Sequence, residues 1–127
     1  MLRAKLTKHL AYLIVLVFIV NTAALEFYWY YAIWWFDMPV HFLGGLAAGL
    51  LWMLLWPMPT EAELGFRRIL LVLLGVLIIG AGWEIYEVVV NIYTAHHPFN
   101  LEDMLADICF DLAGGITSLF YRYKFII

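Results

Sequence analysis

Between Leu10 and Tyr121 the chain runs through four stretches of about twenty mostly apolar residues each, and such stretches belong in a bilayer. A helix rises about 1.5 Å per residue, so about 20 residues match the roughly 30 Å of membrane hydrocarbon. The stretches run roughly from Leu10 to Tyr30, Met38 to Trp56, Ile69 to Asn91 and Leu101 to Tyr121. Pro57, Pro59 and Gly65 break the chain after the second, and His97, Pro98 and Asn100 after the third. Pro39 is expected in a first helical turn, with Asp37 close to the cap position. Composition agrees, since 66% of the 127 residues are hydrophobic and 13% charged. A soluble domain carries about 25% charged residues. A soluble enzyme, a nucleic-acid binder and a disordered tail are excluded. The lone cysteine, Cys109, excludes a disulfide framework and a Cys-based zinc site. The expected fold is all-α: one domain over residues 1–127, a polytopic four-transmembrane-helix bundle whose main partner is the lipid bilayer. A homo-oligomer is compatible with it.

Charge placement orients the bundle. Arg3, Lys5 and Lys8 precede the first stretch, Arg67 and Arg68 open the third, and Arg122 and Lys124 follow the fourth. All seven lie on one side of a four-span arrangement, and basic residues stay on the cytoplasmic side. Both termini are therefore expected in the cytoplasm, in a multi-pass protein of the cell (inner or plasma) membrane. The first stretch is longer than the roughly 7–15 apolar residues of a signal peptide, so it reads as a retained anchor helix. Tyr28, Trp29, Tyr30, Tyr31, Trp34 and Trp35 form an outer aromatic belt.

The acids are biased the other way. Of the ten, only Glu61 and Glu63 fall on the cytoplasmic side. Asp37, His41, Gly45 and Gly49 follow one another at i+4 and share a helix face. Gly80, Glu84, Glu87 and Asn91 line a face of the third span, and Asp103, Asp107, Asp111 and Gly115 a face of the fourth. Three spans thus carry acid or imidazole in the outer half, continued by glycine toward the middle. Gly45-x-x-x-Gly49 is a small-residue motif that lets helices approach closely. An Asp near a helix centre costs about 2.5–3.5 kcal/mol on insertion scales, so the fourth span is marginal alone and is expected to insert as a hairpin with the third.

No Lys or Arg is positioned to pair with these acids. Converging carboxylates must then be protonated, hold a cation or admit water. The preferred reading is a divalent-cation site built from Asp37, His41, Glu84, Glu87, Asp103, Asp107 and Asp111. Carboxylates from facing helices are how bundles hold metals. Oxygen ligands with one imidazole favour Mg, Mn, Ca or Fe over Zn. For a catalytic site the natural chemistry is metal-assisted hydrolysis or transfer on a phosphate or lipid headgroup, with His41 or Glu84 as candidate acid/base. Two alternatives compete: proton or cation transport by an oligomer, and a purely structural, hydrogen-bonded bundle. Glu26 reads as an interfacial carboxylate, His9 as inert, Cys109 as a packing residue, and Trp83 as a candidate pocket wall.

Asp37-Met-Pro-Val-His41, Glu84-Ile-Tyr-Glu87 and Asp107-x-x-x-Asp111-x-x-Gly114 together resemble the VanZ-like membrane proteins, and most closely their YjdF-type relatives. The VanZ-like pattern has Gln where this chain has Glu87 and Asn where it has Asp111. It often adds an arginine between the second and third blocks, which is missing here. The resemblance implies a small helical membrane bundle and a ligand drawn from envelope lipids or cell-wall precursors.

Overall fold

A computed structural model describes residues 1–56, 65–94 and 99–127. Pro57, Pro59, Glu61, Glu63, His96, His97 and Pro98 lie outside the described residues. Helix α1 spans Leu2–Glu26, the short α2 Trp29–Ala32, α3 Asp37–Leu55, α4 Phe66–Thr94 and α5 Leu101–Tyr121, which continues into a π-helical turn at Arg122–Ile126. Among the described residues there is no strand. Four helices are long and apolar enough to cross a membrane: α1, α3, α4, and α5 with its π-helical turn.

The helix boundaries correct the sequence expectation at the first span. It begins at Leu2 rather than near Leu10 and ends at Glu26 rather than near Tyr30. Its basic first turns are helical because Arg3, Lys5 and Lys8 can extend their heads beyond the hydrocarbon while their stems stay on the helix. At the other end, Phe27 still bonds back to the Ala23 carbonyl, and then Tyr28 turns left-handed at φ 57°. That reversal sends the aromatic belt into the separate helix α2, and no Gly or Pro marks it. Helix α4 is also longer than expected, at 29 residues. It would extend about 43 Å, so it tilts or overhangs the hydrocarbon. As expected, Asp37 lies next to the cap position: it is the first residue of α3, directly after the N-cap Phe36, and Pro39 falls in the first turn.

Helices α3 and α5 form the closest pair, and glycine is the reason. A Cβ at Gly45 would overlap the backbone of Asp111, and one at Gly114 would overlap the Phe42 carbonyl. One turn on, Gly49 faces the Ser118 side chain. Backbones thus meet directly, the arrangement that membrane helices use where no hydrophobic force drives them together. Helix α4 packs across this pair, with Gly75 against the Trp52 ring and Val76 against Gly115.

The apolar core lies toward the end that carries both chain termini. It joins Leu6 and Leu10 of α1, Leu50 and Met53 of α3, Val72 and Val76 of α4, Leu119 of α5 and Ile126. His9, at this end, has a partner after all: its Nδ1 lies 2.7 Å from the Tyr121 hydroxyl. The opposite half of the bundle holds the acids.

Candidate metal centre

The i+4 spacing of Asp37 and His41 brings both onto the α3 face that meets α5, and α5 supplies Asp107 and Asp111 by the same step. His41 is buried at 5% exposure, surrounded by carboxylates. Its Nδ1 lies 3.2 Å from Asp111 Oδ1. With Asp111 ionised, its carboxylate can only accept and Nδ1 is the donor; Nε2 faces the remaining acids. Nε2 stands 3.6 Å from Asp37 Oδ1 and 3.6 Å from Asp107 Oδ2. Those separations exceed hydrogen-bond length. They match the roughly 3–4 Å between donor atoms that share an ion at about 2.0–2.6 Å.

Two donor sets share the imidazole, Asp37–His41–Asp107 and His41–Glu84–Glu87, each with its atoms within 4.8 Å of one another. Glu84 belongs to α4 and is buried at 6% exposure, and its Oε1 is buried without a hydrogen-bond partner. A lone buried carboxylate oxygen is costly unless something fills its vacant coordination. A fifth carboxylate, Asp111, meets the other ring nitrogen. A Cβ at Gly80 would come within 2.6 Å of its Oδ2, so the missing side chain at Gly80 is what gives Asp111 room beneath the imidazole.

Of the seven residues expected as ligands, Asp37, His41, Glu84, Glu87 and Asp107 fall in these two sets. Asp111 touches His41 on the other ring nitrogen. Asp103, one turn from Asp107, is exposed and lines an adjoining cavity of about 450 Å³. That cavity also touches Glu84, Glu87 and Asp107, and is bounded by Tyr30, Tyr31, Asn91, Phe99 and Asn100 among others. Glu26 ends α1 and is exposed. Trp83 is exposed and packs on Tyr86, and its side chain hydrogen-bonds Glu87 at the edge of the cluster. One sequence expectation is corrected: Cys109 is exposed rather than packed.

Sequence reasoning missed Tyr30. Its hydroxyl donates to Asn21 Oδ1 at 2.6 Å, and its ring packs edge-on against Phe36. Burial first, then the negative charges of Asp37 and Glu87, push the Tyr30 hydroxyl up to about 12. An aromatic belt hides one cavity-lining tyrosine among several interfacial ones, so only the adjacency of Asp37 could have signalled it. Asn100 was legible only as a break. Its side chain caps α5 by accepting from the Glu102 and Asp103 amides, which fixes the helix start beside the cavity.

With this geometry established, a family model described as "Predicted membrane protein (DUF2238)" matches residues 2–126. The chain belongs to the DUF2238 family of predicted membrane proteins. The match runs through all the described helices, so the acid–imidazole cluster of this DUF2238 chain lies wholly within the family region. No curated protein and no solved structure matches the chain.

Proposed function

We propose that this membrane protein holds a divalent cation in the half of the bundle away from its termini, between His41 Nε2 and the carboxylates of Asp37 and Asp107, with Glu84 and Glu87 completing the donor set. The observation that carries this reading is the orientation of His41. A carboxylate bound to one ring nitrogen fixes the tautomer and presents the other as a ligand, the arrangement found behind metal-bound histidines. The orphaned Glu84 oxygen adds a second, independent support. The donor chemistry suits Mg, Mn, Ca or Fe better than Zn.

The finer reading follows the VanZ-like, YjdF-type resemblance and the positive-inside pattern. Both termini would be cytoplasmic, and the centre would face outward to serve envelope-lipid or cell-wall chemistry, with His41 or Glu84 as acid/base. A transport role is less favoured. Toward the termini, Leu50, Val72 and Val76 are fully buried and apolar, which describes a cup closed at the bottom.

Elemental analysis and Mn²⁺ titration of purified protein test the proposal. Wild type is expected to bind about one ion per chain, and His41→Ala or Asp107→Asn to weaken binding by about 10-fold or more. A wild-type protein that neither co-purifies with nor takes up a divalent ion overturns it.

A further inference from the structure

The cavity beside the centre has a chemistry of its own. Six carboxyl groups gather in and beside the cluster: Asp37, Glu84, Glu87, Asp103, Asp107 and Asp111. One divalent ion would offset two negative charges, and an imidazole that ligates it is neutral, so a surplus of negative charge remains. Among the described residues that line the cavity there is no Lys or Arg. Asp103 lines this cavity together with Tyr30, Tyr31 and Phe99, which precedes α5. Glu84, whose Oε1 is buried and unpartnered, lines it too. Carboxylates with aromatic faces recognise organic cations, the acid through charge and the rings through their negative faces. Val88, Ile92 and Met104 supply an apolar flank for the carbon chain beside such a group.

We propose that this cavity binds an organic ammonium group, with Asp103 as its charge partner and the Tyr30, Tyr31 and Phe99 rings around it. An anion would meet the same surplus charge and be repelled. The ammonium has two natural sources, a soluble amine and the amine headgroup of a membrane lipid. The inference rests on the cation reading for three of its carboxylates, but Asp103 lies outside both donor sets and separates the two.

The test uses the full chain in nanodiscs loaded with Mn²⁺. One arm titrates n-butylammonium, with butyrate as the anionic control. The other compares nanodiscs containing phosphatidylethanolamine with nanodiscs of phosphatidylglycerol, reading the lipid retained on extraction by mass spectrometry. Saturable binding in either arm, weakened about fivefold by Asp103→Asn with Mn²⁺ affinity unchanged, is the expected result. The arm that binds identifies the source. Equal binding by wild type and Asp103→Asn, butyrate binding as well as the amine, or no binding in either arm overturns the proposal. Loss of Mn²⁺ binding in wild type counts instead against the cation centre.

Discussion

At the scale of single residues, the behaviour of His41 depends on the carboxylate behind it. Asp111→Asn keeps the shape that fits between Gly80 and the α3 backbone but replaces the carboxylate oxygen that meets His41 Nδ1. Mn²⁺ affinity is expected to fall about 10- to 100-fold, with secondary structure by circular dichroism unchanged. Unaltered affinity would show that Asp111 serves packing alone. Tyr30 makes a second prediction. Its folded hydroxyl titrates near 12, above the ordinary value of 10. A raised acid constant means the neutral form is favoured in the fold, so this contribution is complete below pH 10 and disappears as pH rises through about 12. Tyrosinate absorbance should show one late-titrating group that is missing in Tyr30→Phe. That variant also gives up the bond to Asn21, a loss of about 1 kcal/mol. The seven expected ligands were visible from their periodicity, because a 3.6-residue turn leaves few other ways to place acids at i+4. Their division was not visible. Whether an acid meets Nδ1, meets Nε2 or lines the cavity depends on helix rotation and on a gap at Gly80, which one strand of sequence does not encode locally.

At the scale of elements, the α3–α5 contact is the structural hinge of the site, and glycine controls it. Gly45→Ala would force a methyl into the Asp111 backbone, and rigid backbone cannot step aside. The pair must separate, which removes about 3 kcal/mol of stability and pulls Asp107 and Asp111 away from His41. A Cβ at Gly82 meets nothing within 4 Å, so Gly82→Ala should leave the thermal midpoint in detergent unchanged or slightly raised. Comparable losses in both variants would count against direct backbone contact. The Gly45-x-x-x-Gly49 spacing announced this interface and the i+4 acids of the fourth span put Asp111 on it, whereas the partner residues Gly114 and Ser118 emerged only with the fold. The left-handed turn at Tyr28 was illegible for a related reason. Such a conformation is usually signalled by Gly or Asn, and here packing of Phe27 on Trp29 and of Trp29 on Phe36 accompanies it instead.

For the whole molecule, Leu6, Leu10 and Ile126 share one buried cluster, so both chain ends lie at the same end of the bundle, as four membrane crossings would require. In a Cys109→Ala background, Lys5→Cys and Lys124→Cys should therefore react with a membrane-impermeant maleimide from the same face, and Asp103→Cys from the other. Labelling of Lys5→Cys and Asp103→Cys from one face would overturn the crossing pattern. The positive-inside rule further expects the first pair to label from the cytoplasm. The apolar layer of Leu50, Val72 and Val76 then carries an electrical consequence. A charge moved through an energised membrane exchanges about 2.3 kcal/mol per 100 mV, and a plug of branched aliphatic side chains denies ions that passage. On the proposed cation reading, ions would enter and leave the acidic basin by the same mouth, and the protein would take up and release counter-charge without running down the voltage across the bilayer that surrounds it.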